Sequence, residues 1–135
     1  MEYMIGILIV THGNLGQEFL KTASIIIGKP EKTEALSLAY DDDVMELKAT
    51  VAEKIKSMDD GDGMMVFTDL FGGSPSNSVA ANLRDLKFKA FTGLNLPMLI
   101  ECINMREDMD LEELTDHLRE VGKDGIKILN EIYKA

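Results

Sequence analysis

Two short apolar runs constrain this chain more than anything else in it. Ile5-Gly6-Ile7-Leu8-Ile9-Val10 stops abruptly at Thr11-His12-Gly13, and Met64-Met65-Val66-Phe67 stops at Thr68-Asp69-Leu70-Phe71-Gly72-Gly73-Ser74-Pro75. An unbroken apolar run of this length, without polar alternation, is the pattern of a strand buried on both faces of a parallel sheet. Ligands of such sheets bind beyond the carboxyl ends of the strands, where the winding reverses. His12 and Asp69 both stand at such ends, so the expectation is that they meet.

The rest of the chain supplies the helices that such a sheet needs. The first strand is expected from about Met4 to Val10. A helix then opens at Gly13-Asn14, with Leu15, Phe19, Ala23, Ile26 and Ile27 at helical spacing, and Gly28-Lys29-Pro30 ends it. Residues 34–39 form a shorter second strand. Asp41-Asp42-Asp43 precedes the helical pattern Val44, Leu47, Val51, Ile55, Met58. Three acids in a row invite a metal-site reading, but carboxylates at a helix start cap orphan amides and complement the helix dipole. Asp59-Asp60-Gly61-Asp62-Gly63 is a turn without the ligand spacing or terminal Glu of a calcium loop.

The third strand is Met64–Thr68. Ser74 is expected as the N-cap and Pro75 as the first residue of a helix continuing through Val79, Leu83 and Leu86. Residues 88–92 make a fourth strand closed by Gly93. Asn95-Leu96-Pro97 opens a helix to about Met105, and Asp110 caps another with Leu111, Leu114, Leu118 and Val121 on its buried stripe and Gly122 at its end. The tail from Gly125 to Tyr133 fits a strand through Ile126 and Ile128 or a helix through Ile126, Leu129 and Ile132; the two glycines before it favour the strand.

Strands alternating with helices give a single α/β domain over 1–135, a doubly wound parallel sheet with helices on both faces. With right-handed crossovers the small doubly wound order is 2-1-3-4, which sets the first and third strands side by side. Topology alone then brings His12 next to Asp69.

Composition narrows the partners. The net charge of −10, from 24 acidic and 14 basic side chains, excludes nucleic acid or an anionic membrane as the main partner, since both call for a basic patch. It suits a basic protein partner, or simply solubility. No apolar run approaches the roughly 18 residues of a membrane span, and no basic segment precedes the first apolar run, so a cytoplasmic protein is expected. Cys102 is the only cysteine, which leaves no internal disulfide and no cysteine-based zinc cluster; it reads as a small buried thiol.

The chemistry at the two strand ends follows from residue type. A carboxylate that accepts one ring N–H of a histidine fixes the tautomer and leaves a lone pair on the other nitrogen, which makes a nucleophile. An inert, hydrogen-bonded histidine is the competing reading of His12; His117, on the polar side of a helix, lacks the context. Gly72-Gly73-Ser74 is either a tight turn or a glycine-rich helix start whose exposed N–H groups cradle a phosphate. No Walker or Gly-x-Gly-x-x-Gly motif supports a nucleotide. A histidine that carries a phosphoryl group, with neither metal nor cofactor, fits this set of residues.

Thr11-His12-Gly13, Asp69-Leu70-Phe71-Gly72-Gly73-Ser74-Pro75 and Gly93-Leu94-Asn95-Leu96-Pro97-Met98-Leu99, in this order, resemble the mannose-family enzyme IIA of the bacterial phosphoenolpyruvate-dependent sugar phosphotransferase system. The likeness runs through essentially the whole chain. It implies a phosphotransferase in which the histidine matching His12 accepts phosphate from the phosphocarrier HPr and passes it to enzyme IIB for sugar uptake. The aspartate matching Asp69 orients that histidine, and the serine matching Ser74 lies at the phosphate-binding helix end. Some members have Thr-Trp where this chain has Leu70-Phe71, so position 70 inherits no role. The family is typically a homodimer that exchanges a carboxyl-terminal antiparallel strand, which favours strand at residues 126–130. The chain stops at Ala135, so its IIB is expected as a separate polypeptide. The related phosphocarrier serving dihydroxyacetone kinase generally lacks Gly-Gly-Ser-Pro. A histidine phosphatase would need Arg where Thr11 stands. A non-catalytic anion-binding regulator is the remaining alternative.

Overall fold

In a computed structural model, residues 3–39 and 42–134 are described. Four strands, β1 (Gly6–His12), β2 (Thr33–Leu38), β3 (Met64–Thr68) and β4 (Lys89–Phe91), form one sheet in the order β2-β1-β3-β4, and every pairing is parallel. The helices are α1 (Leu15–Ile27), α2 (Val44–Met58), α3 (Ser74–Ala80), α4 (Leu96–Met105), α5 (Leu111–Asp124) and the single turn α6 (Leu129–Ile132). The expected order and the adjacency of β1 and β3 are both present.

Side chains alternate across a strand, and here each face meets its own helices. Ile5, Ile7, Ile9, Met65 and Phe67 pack with Leu99, Cys102, Leu114 and Leu118 from α4 and α5. Leu8, Val10, Met64 and Val66 pack on the opposite side with Leu47, Val51 and Ile55 of α2 and Val79 of α3. Every residue of β1 from Ile7 to Val10 is fully buried, which is why the run carries no polar alternation. Cys102 lies inside the first of these clusters, and burial pushes its thiol up to about 12, so it is protonated and inert at neutral pH.

Local chemistry sets most helix boundaries. Asp43 accepts from the Met45 N–H and caps α2; Asp42 instead accepts from Ala39 N–H, and Asp41 lies outside the described residues. Asn95 accepts from Met98 N–H at the start of α4, and Asp110 with Glu113 forms a reciprocal capping box on α5.

Four expectations are corrected. Ser74 is not an N-cap: the cap position is Gly73, no side chain caps α3, and Ser74 is the first helical residue. The α-helix also ends at Ala80 instead of continuing to Leu86. Asn82, almost fully buried, donates to Ser78 O and Lys48 O, each at 3.1 Å, and its amide diverts the chain into turns. Gly122 does not end α5, which runs to Asp124 with Gly125 at the cap. Gly122 is there for packing: a Cβ would come within 2.3 Å of Met98 Cε on α4. Finally, residues 126–130 are not a strand. The tail closes a single helical turn through Glu131 N–H to Ile128 O and Tyr133 N–H to Leu129 O. Without a neighbouring strand, its backbone groups find partners locally.

Candidate functional site

β1 and β3 run side by side to adjacent ends, and the loop after β3 folds back over the end of β1. Asp69 Oδ2 accepts two hydrogen bonds from one residue, from His12 N–H at 3.0 Å and from His12 Nδ1 at 2.8 Å. Its Oδ1 accepts from Leu70 N–H at 2.9 Å. The carboxylate side chain is only 8% exposed while the imidazole is 48% exposed, so the ring is held from the inside and open to the outside. Burial alone would raise the Asp69 pKa, but the hydrogen bonds from His12 and Leu70 outweigh it and hold the carboxyl below its ordinary range. At neutral pH Asp69 is therefore ionised and can only accept. Nδ1 must carry the proton, and the lone pair falls on Nε2.

Nε2 faces the glycine turn. A Cβ on Gly73 would come within 2.7 Å of His12 Cε1 and 3.2 Å of Nε2. Gly73 has φ −81, so its need to be glycine is one of close approach. Gly72 differs: with φ +87 and nothing near its absent Cβ, it is required by the backbone of the turn. Ser74, freed from capping, lines a cavity of about 450 Å³ together with His12, Gly13, Leu38 and Ala39. His12, Asp69, Gly73 and Ser74 are thus gathered at one place, with Gly72 shaping the loop between them.

Thr11 enters the sequence motif without a role of its own, and the structure gives it one. Its buried hydroxyl accepts from Gly16 N–H at 2.9 Å and contacts Gly13 O at 3.4 Å. Asn14, at the cap position of α1, makes no capping bond, so Thr11 supplies the cap from the end of β1. Gly13 N–H donates to Leu38 O at 2.9 Å on the other side. The turn carrying His12 is pinned at both flanks. In the sequence the only sign of this was a Thr five residues before a glycine.

His117 is placed elsewhere, paired with Glu101 across α4 and α5. Among the described residues no three His, Cys, Asp or Glu side chains converge as metal ligands would, and no helix is long and apolar enough to cross a membrane.

A family profile described as "PTS system fructose IIA component" matches residues 6–119. The chain belongs to this family. It is 29% identical over 127 residues to the mannose-specific EIIAB component of Escherichia coli K12; that alignment takes in 93% of this chain but 39% of the relative, so the chain spans well under half of that longer protein. It is 23% identical to the fructose-specific EIIA component of Bacillus subtilis, over 95% of this chain and 88% of that one. Among solved structures, the phosphotransferase system component EIIA from Streptococcus agalactiae superposes with a TM-score of 0.86 at 28% identity, covering 95% of this chain and 99% of that one. The matched segment of the family contains His12, Asp69 and the glycine turn, and the doubly wound sheet is the shared fold.

Proposed function

We propose that this family member is a phosphocarrier of the sugar phosphotransferase system, which accepts a phosphoryl group from phospho-HPr on His12 and passes it to enzyme IIB in the cytoplasm. The observation that carries this reading is the Nδ1–Asp69 hydrogen bond at 2.8 Å with Nε2 left open beside Gly73. Nε2 attacks phosphorus, the P–N bond to the donor histidine breaks, and its electron pair returns to that imidazole. As the N–P bond forms, the His12 ring gains positive charge, and Asp69 stabilises it across the retained Nδ1–H bond. The amides of the Gly72-Gly73-Ser74 turn and the Ser74 hydroxyl are the groups we assign to the phosphoryl oxygens. The second transfer repeats the displacement with a IIB nucleophile attacking the phosphorus. A phosphatase reading has no support in the residue before His12, because the Thr11 hydroxyl is turned into α1 and buried.

Incubation with labelled phosphoenolpyruvate, enzyme I and HPr tests the reading. Stoichiometric, stable label on His12 is expected. His12→Ala should abolish the label and His117→Ala should retain it. Steady phosphate release would favour a phosphatase, and no label at all would favour an anion-binding regulator.

A further inference from the structure

Thr11 and His12 are neighbours in β1, and side chains of successive strand residues leave on opposite faces of the sheet. Thr11 is fully buried and points, with Ile7 and Ile9, to the face that packs Phe19, Leu20 and Ala23 of α1. His12 follows Leu8 and Val10 to the other face, where its ring meets Gly73 at the start of α3. Whatever Thr11 does to the imidazole therefore passes through the backbone between them.

That backbone is held at few points. Gly13 has φ +53 and open space where a Cβ would stand, so packing does not fix the turn. Asn14, at the position from which a side chain ordinarily caps a helix, has its Oδ1 turned to the Ser37 hydroxyl at 3.3 Å. Gly16, the second residue of α1, is buried against the sheet: a Cβ there would lie 3.1 Å from Ile9 Cγ2 and 3.2 Å from Ala35 Cβ. Its amide needs a protein acceptor. The Thr11 hydroxyl is that acceptor, at 2.9 Å, and its own proton lies toward Gly13 O at 3.4 Å. One side chain thus spans the His12-Gly13 turn, from the last buried position of β1 to the first turn of α1.

The site makes a narrow demand on this turn. Asp69 Oδ2 takes both the backbone N–H and Nδ1 of His12, at 3.0 and 2.8 Å. One oxygen serves both donors only while the backbone and the ring of residue 12 keep a fixed relation to it. A displacement of about 1 Å would break one bond or both and free the tautomer, and misplacement of that size can slow a reaction about a hundredfold.

We propose that Thr11 is a positioning residue for phosphoryl transfer: its hydroxyl, bound to Gly16 N–H and Gly13 O, fixes the turn that keeps Nδ1 on Asp69 and Nε2 open. The inference rests on the phosphocarrier reading and adds to it a residue whose side chain touches neither the phosphoryl group nor the imidazole.

The test compares Thr11→Val, which keeps the volume and the β-branch but removes the hydroxyl, with Thr11→Ser, which keeps the hydroxyl. Both are assayed well below their melting temperatures. In single-turnover labelling from phospho-HPr, Thr11→Val is expected to be slower by at least about tenfold, and Thr11→Ser to stay within about threefold of wild type. Proton–nitrogen correlation spectra of the His12 ring supply a readout that a purely structural cap would not move. Wild type and Thr11→Ser should show the Nδ1–H tautomer, and Thr11→Val a mixture with Nε2–H. The loss should also be non-additive: Thr11→Val should slow Asp69→Asn by less than about threefold further, because the hydroxyl acts through a bond already weakened there. Should Thr11→Val not fold, Thr11→Ala, with room for a water beside Gly16 N–H, takes its place under the same expectations. A transfer rate close to wild type without the hydroxyl, an unchanged tautomer, or the same proportional loss in the Asp69→Asn background would overturn the assignment. If wild type took no label from phospho-HPr, the phosphocarrier reading itself would fall, while the ring tautomer of Thr11→Val would still decide what Thr11 does.

Discussion

The two atoms of the Asp69 carboxylate hold three donors, so its charge serves both the fold and the nucleophile. Asp69→Asn retains an acceptor and most of the shape but loses the charge opposite the imidazole. A charge-assisted bond is worth about 1.5–3 kcal/mol, so transfer should slow roughly tenfold to a hundredfold or more, with a far smaller change in Tm. Single-turnover transfer beside thermal melts checks this, and wild-type rates would remove the orienting role. The lowered Asp69 pKa also has a pH signature. Its folded value lies below its unfolded value, so its contribution to stability is complete above the ordinary carboxylate range and is lost as pH falls through the lower, folded value. The stability difference between wild type and Asp69→Asn should therefore shrink on acidification below about pH 4, as urea melts at several pH values would report. The neighbouring glycines predict opposite damage. Gly73→Ala meets the imidazole at 2.7 Å without backbone strain, so phosphorylation should fall while Tm holds. Gly72→Ala forces an L side chain to φ +87 and should cost about 1–2 kcal/mol of stability first.

At the scale of elements, the far end of the sheet depends on a buried cation. Arg106, just past α4, is 2% exposed and, among the described residues, has no carboxylate partner within ion-pair distance. Its guanidinium donates to Ile5 O at 3.1 Å, to Lys32 O and Thr33 Oγ1 at 3.3 Å each, and to Glu31 O. One side chain thereby ties α4 to the entrances of β1 and β2, and burial lowers its pKa. Arg106→Met would keep the stem and strip a donor from the buried Ile5 carbonyl and the half-buried carbonyls of Lys32 and Glu31. A loss of at least about 1.5–3 kcal/mol is expected in chemical denaturation, with the labelling of His12 intact below the transition, because the residue lies at the opposite end of the strands. A melt within error of wild type would contradict this account.

At the scale of the whole molecule, the carboxyl-terminal segment is left uncovered. Ile126, Ile128, Leu129, Ile132 and Tyr133 are all exposed in the single chain. β4 is a three-residue edge strand paired only with β3. An apolar tail and an open edge are complementary needs that a second copy would meet. The expected protein is a homodimer through this segment, and removal of residues 125–135 should give a monomer by light scattering. A well-folded dimer after that removal would refute the assignment.

By itself the amino-acid order determined the strands, the order of the sheet and the pair His12–Asp69. These depend on local periodicity and on the handedness of crossovers, both of which are written in runs of a few residues. The caps at Asp110 and, within the acidic run before α2, at Asp43 were legible for the same reason, since a cap bonds within its own turn. What tertiary structure decided were contacts between residues distant in sequence. Gly122 looked like a terminator until Met98 was packed against it, and Ser74 looked like a cap until Gly73 had to lie against the imidazole. Thr11 looked passive until its hydroxyl met Gly16. The tail, expected as a strand, closes a helical turn for a deeper reason: a strand exists only against another strand, and among the described residues the tail pairs with none.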